Sequence, residues 1–154
     1  MIVYRVTKAE YADTAFAGSH RRGRWHRLGT PMVYAADAPA TVLLETLVHV
    51  DRVALLDIRF AVFEVSFDPD RHLLRLPPER LPRNWQAWPW PKSTQEIGTF
   101  WFESQASLVL EVPCAIMPYH DVYLINVRHP DFSEIEIHGP NDFPIDPRLS
   151  VPRS

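Results

Sequence analysis

The sequence predicts an α+β fold, strand-rich with a few short helices that do not alternate strictly with the strands. Three observations point there. The 15 prolines in 154 residues cut the chain into short elements joined by stiff turns, which excludes a bundle of long helices. Six segments show the alternation or β-branched content of strands. Helical patterns are few: residues 38–50 and 94–105, with a short one over 8–16.

Taken in order, residues 2–6 alternate and form a first strand, with Arg5 on the face opposite Tyr4. Residues 8–16 fit a short helix, and 18–31 a loop punctuated by Gly18, Gly23, Gly29 and Pro31. A second strand spans 32–36. Asp37 then stands where a helix cap belongs, ahead of a helix over 38–50 with Pro39 in its first turn. On that helix Val42, Glu45 and His49 share one face, while Leu44, Leu47 and Val48 make the apolar side and leave Glu45 at its border. A third strand covers 60–67. The proline-rich span 68–91 carries Trp85, Trp88 and Trp90 and reads as an ordered loop pinned by aromatics. A helix over 94–105, weakened by Gly98, precedes strands at 107–112, 121–127 and 133–138, ended by Pro113, Pro130 and Gly139-Pro140. The whole of 1–154 reads as one domain.

Composition narrows the function. The single cysteine excludes an internal disulfide framework and suits a reducing, cytoplasmic setting. No signal-peptide pattern and no bilayer-length apolar run is present, so no membrane partner is expected. The net charge of −3 is uneven. Residues 1–36 hold six basic side chains against Glu10 and Asp13, a balance of +4, and the remainder carries −7. A basic front on an acidic body fits a local anion site better than a broad nucleic-acid surface.

Several chemistries drop out. None of the seven histidines makes a tight pair with another His or with Cys114, so no metal site is expected. Cys114 follows Pro113 at the end of an apolar strand, with no evident base beside it in sequence, and reads as a structural thiol. No GxSxG, P-loop or GxGxxG motif occurs. Arginine, carboxylate and aromatics remain, gathered in Gly23-Arg24-Trp25-His26, Val33-Tyr34-Ala35-Ala36 and Leu44-Glu45-Thr46-Leu47-Val48-His49. Arginine grips diphosphate bidentately, aromatic rings stack on a flat heterocycle, and a carboxylate opposes positive charge on a sugar carbon. NAD is a substrate that uses all three. The bland alternative makes Trp25 and Tyr34 core aromatics and Glu45 a solvated helix residue.

The order of these motifs resembles the RES-domain family, best known as toxins of RES–Xre toxin–antitoxin pairs. The likeness begins at Tyr4-Arg5-Val6 and continues through the three motifs above. It goes on through Leu81-Pro82-Arg83-Asn84-Trp85, Thr94-Gln95-Glu96-Ile97-Gly98, Val112-Pro113, Asn126 with His129-Pro130, and Phe143 to Leu149. The resemblance implies an ADP-ribosyltransferase-like fold, with mixed or antiparallel sheets around an NAD cleft. It also implies cleavage of NAD at the nicotinamide–ribose bond by water or phosphate, without a further cofactor or metal. Glu45, Arg5 and Tyr34 take the catalytic positions under this reading, and Arg5, Arg24, Trp25, Tyr34, His49 and Ser93 surround the NAD. The family's serine falls either on Cys114, where relatives often read Val-Pro-Ser, or on Ser93; its Asn after the GRW triplet is His26 here. The implied partner is an Xre-type antitoxin, with DNA contacted only through it. Three alternatives stay open: a nucleotide- or RNA-binding module in which His20 to Trp25 and Tyr34 stack bases, a protein ADP-ribosyltransferase, and a catalytically inactive interaction partner, suggested by Cys114 and His26 where the family has Ser and Asn.

Overall fold

The computed structural model describes residues 1–150. Its strands are β1 (Ile2–Lys8), β2 (Met32–Ala36), β3 (Phe60–Ser66), β4 (Leu73–Arg75), β5 (Val109–Pro113), β6 (Asp121–Asn126) and β7 (Glu136–Phe143). They form one seven-stranded sheet in the order β4-β5-β6-β2-β1-β3-β7, antiparallel except for the β4–β5 pair. The helices are α1 (Pro39–Leu47), α2 (Pro69–His72) and α3 (Lys92–Ser104), with short 3-10 turns between elements. The expected α+β class is therefore observed.

Alternation assigns the two faces of the sheet. Val3, Val33, Ala35, Val65, Val109, Tyr123 and Ile125 point to one face, where Phe16, Leu73 and Phe132 cover them. Met32, Leu110, Val112, Val122 and Leu124 point to the other, under Trp25 and the α3 residues Trp101 and Phe102. On that second face Val6, Ala36 and Phe60 pack with Val42 of α1. Both faces are thus sealed by apolar side chains, and α1 and α3 lie on the same side. No helix among the described residues is long and apolar enough to cross a membrane.

Four local expectations change. Asp37 does not cap α1: the cap position is Ala38, and Asp37 instead accepts from Thr41 Oγ1 (3.1 Å) and faces His120 Nδ1 (2.9 Å). The buried side of α1 is Thr41 and Val42, whereas Val48 is exposed. The sheet below selects that face, so Glu45, one turn beyond Val42, looks inward. The span 68–91 is not all loop but contains α2 and β4, each too short to impose a period on the sequence. The last strand runs through Gly139-Pro140 instead of ending there. β7 is an edge strand with a register shift opposite Val62–Glu64, so a residue without an N–H costs it no ladder bond.

Candidate functional site

β2 presents Tyr34 towards the helices, and its hydroxyl organises the loop before it. The Trp25 amide donates to Tyr34 Oη at 3.2 Å, and Tyr34 Oη lies 2.6 Å from His26 Nδ1. The other ring nitrogen of His26 meets the Arg21 carbonyl. A carbonyl only accepts, so Nε2 carries the proton and Nδ1 accepts from the tyrosine hydroxyl. The hydroxyl proton is fixed by a neutral imidazole. Burial depresses the His26 pKa and raises that of Tyr34, which keeps both neutral. Gly23 has no room for a side chain, since a Cβ there would stand 2.8 Å from Tyr34 Oη and 2.6 Å from His26 Cε1.

Glu45 reaches the same place from α1. Its Oε1 accepts from the Cys114 thiol at 3.1 Å, and the Met117 amide donates to that sulfur at 3.3 Å. The thiol therefore has a base beside it, contrary to the expectation from sequence. Burial and then the carboxylate push its pKa up to about 11, so it is a protonated donor and a poor nucleophile. Arg24 comes in from the loop. Its Nη1 donates to the carbonyls of Trp85 (2.6 Å) and Ala87 (3.0 Å). Among the described residues nothing accepts from its Nε or Nη2. Desolvation lowers the Arg24 pKa, while Glu45, Tyr34 and Cys114, all near enough to act electrostatically, raise it. The structure thus assembles Arg24, Tyr34, Glu45 and Cys114.

The remaining candidates are placed elsewhere. Arg5 projects from the opposite sheet face, and its Nε and Nη1 donate to the carbonyls of Ala15 (2.7 Å) and Tyr34 (3.0 Å). Only Tyr4 and Ala36 pair between β1 and β2, so Arg5 fills the split where these strands part. Its guanidinium is desolvated enough to bring the pKa down to about 10. Trp25 is 2% exposed, packed with Trp85 and under α3, so its ring is core and not a stacking platform. His49 is exposed against the rings of Trp88 and Trp90. Ser93 donates to Asn84 Oδ1 at 3.3 Å, so of the two candidates for the serine position only Cys114 meets Glu45. Loop 84–91 runs from the Arg24 contacts to the His49 ring and flanks the cluster. Sequence reading missed Gln95, whose Nε2 holds the Gly23 carbonyl at 2.9 Å; only its place in a quoted motif hinted at it.

Two features lie apart. A cavity of about 450 Å³ runs along β4 and β5, lined by residues including Arg75, Leu81, Glu111 and Asp121 but neither Arg24 nor Glu45. His72, Asp131 and Glu134 form a cluster able to hold a cation.

The family model for the RES domain matches residues 2–149. The chain is 39% identical to Toxin Res of Photorhabdus laumondii, with 97% of each chain covered. It is 34% identical to Toxin Res of Yersinia enterocolitica, over 97% of this chain and 99% of that protein. A Sphingobium protein described as a Prs ADP-ribosylating toxin is 35% identical over 82% of this chain and 80% of its own. Among solved structures, a chain of the Mycobacterium tuberculosis MbcT–MbcA toxin–antitoxin complex superposes with a TM-score of 0.71, covering 96% of this chain and 85% of that one at 18% identity. That likeness extends to the fold. With the family model spanning nearly the whole sequence, the chain belongs to the RES-domain family, whose curated relatives here are toxins.

Proposed function

We propose that this RES-family toxin cleaves NAD at the nicotinamide–ribose bond. The observation that carries the reading is that Arg24, whose Nε and Nη2 find no acceptor among the described residues, lies within electrostatic reach of the half-buried carboxylate of Glu45, whose one hydrogen-bond donor among those residues is the Cys114 thiol. A forked guanidinium suits diphosphate. In the reaction the C1′–N bond breaks, and its electron pair passes to the pyridinium nitrogen, releasing neutral nicotinamide. The ribose carbon becomes cationic until water or phosphate adds and gives up a proton. Glu45 opposes that growing charge, and the fixed Tyr34 hydroxyl offers a polar edge beside it. The chemistry calls on no metal or second cofactor.

The name of the Sphingobium relative favours one second reading, transfer of ADP-ribose to a protein acceptor. The RNA-binding alternative loses support, because Trp25 is core. The partner in this proposal is an Xre-type antitoxin that covers the Arg24 region with an acidic or carboxyl-terminal group, and DNA is reached only through it. The test is incubation of purified protein with NAD, with and without phosphate, while free nicotinamide is followed. Nicotinamide release by the wild type and its loss in Glu45→Gln support the proposal. Equal release by both proteins, or none by the wild type, overturns it.

A further inference from the structure

We propose that His72, Asp131 and Glu134 form a binding site for a divalent cation of the zinc class, on the sheet face opposite Glu45. His72 ends α2, and both carboxylates stand on the 3-10 turn Pro130–Glu134. One ligand atom from each residue lies within 4.8 Å of the other two. His72 is 3% exposed, and its buried Nδ1 has no hydrogen-bond partner among the described residues. Such an orphan is uncommon and asks for an occupant.

The spacing says which occupant fits. Asp131 Oδ2 stands 3.9 Å from Nδ1, too far for a hydrogen bond, and Glu134 Oε2 stands 3.3 Å from Nε2. These distances run to different ring nitrogens, and an ion takes only one. One nitrogen and one oxygen of each carboxylate, all within 4.8 Å, must therefore draw in to the roughly 3.3–3.6 Å that separates atoms bound to one zinc ion at about 2.0–2.2 Å. Arg71 Nη2 holds Glu134 Oε1 at 2.7 Å and lies 4.0 Å from Asp131 Oδ2. It leaves Oε2 facing the imidazole and fixes the carboxylate's orientation, as outer-shell partners of metal sites do. One imidazole with two carboxylates suits zinc better than calcium or magnesium, which favour all-oxygen sets. The competing occupant is a proton, giving an imidazolium between the carboxylates. Residues 72 and 131 are far apart in sequence, which is why short-range His spacing gave no sign of the site. An ion here would tie α2, leading into β4, to the turn leading into β7.

The experiment titrates chelator-treated, dialysed full-length protein with zinc ion alone, by calorimetry and thermal melting. One zinc per chain is expected. At zinc 100 times its dissociation constant the folding constant rises about 100-fold, a melting-point increase of roughly 5–10 °C for a chain of this size. Asp131→Asn with Glu134→Gln, altering side chains that already touch solvent, should abolish both effects; His72→Asn is read only where its circular dichroism matches the wild type. Absence of zinc binding overturns the proposal. So does binding that persists in the double variant, which assigns it to surface histidines, or a melting point that rises on acidification but not with zinc, which assigns the cluster to a proton.

Discussion

Glu45 and Cys114 face each other at 3.1 Å, and the consequences of changing them differ. Glu45→Gln keeps shape and removes charge; losing one preorganised electrostatic partner costs on the order of 100- to 1000-fold in rate. Its melting temperature should shift by no more than about 1–2 °C, which a thermal scan beside a nicotinamide assay checks. Cys114→Ser keeps a donor to Glu45 and should leave cleavage within a few-fold; complete loss with folding intact would give the sulfur a direct role. The two arginines separate in the same way. Arg24→Ala should lower affinity for NAD; the carbonyls of Trp85 and Ala87 that lose their donor lie nearer solvent, so its melting point should fall less than that of Arg5→Ala. Arg5→Ala leaves the carbonyls of Ala15 and Tyr34 without their donor, at about 1–3 kcal/mol for each that stays buried. Its melting point should drop, with any loss of NAD binding following from that. Calorimetric NAD titration and melting of both variants decide between these outcomes. His26 adds a pH dependence. Burial holds its pKa below the ordinary 6.5, so the stability from the neutral ring is complete above 6.5 and is lost as pH falls through the lower folded value. The wild-type advantage in melting point over His26→Ala should therefore shrink in acid.

At the scale of elements, α3 and the loop that carries Arg24 are joined at Gly98. A Cβ on Gly98 would sit 1.7 Å from the Trp25 carbonyl oxygen and 2.7 Å from its carbon, both backbone atoms unable to turn aside. Read as a sequence, Gly98 is a weak point in a helix; in the fold it is the place where α3 lies directly on the Trp25 backbone. Gly98→Ala, which raises intrinsic helix propensity by about 1 kcal/mol, should nevertheless destabilise the protein, because overpacking costs about 1–3 kcal/mol or more. It should also weaken cleavage, since the displaced segment holds Arg24. Glu103→Ala, exposed on the same helix, is the control and should leave both readouts unchanged. Circular dichroism melting of the two variants measures the difference. Equal melting points would mean that α3 slides to make room.

Over the whole molecule, the strands of the sheet centre and the helix bearing Glu45 were legible because their periods are long and their apolar positions regular. β4 and α2 were not, because three or four residues carry no period, and β4 takes its place only by pairing with β5. The site was legible to the same degree. Arg24, Tyr34 and Glu45 sit in recognisable motifs, whereas the Cys114–Glu45 bond joins residues 69 positions apart and leaves no local trace. The same contrast governs where the fold opens. β6 is buried along nearly its whole length and is flanked by β5 and β2, whereas β7 is exposed at almost every position and sits at an edge. Local opening of β7 uncovers little apolar surface; opening of β6 dismantles the cores on both faces. Native-state hydrogen exchange should therefore show β6 and β2 amides exchanging only through global unfolding, with β7 and β4 exchanging at lower free energy. Tyr34 lies on β2 and Cys114 follows β5, so the site rests on the slowly exchanging part, while Arg24 and loop 84–91 belong to the faster surface. NAD added to Glu45→Gln, which under the proposed mechanism binds NAD and consumes it slowly, should slow exchange in residues 21–27 and 84–91 and leave β7 unchanged. Protection spread evenly over the sheet would mean that the ligand tightens the entire fold and not one mouth of it.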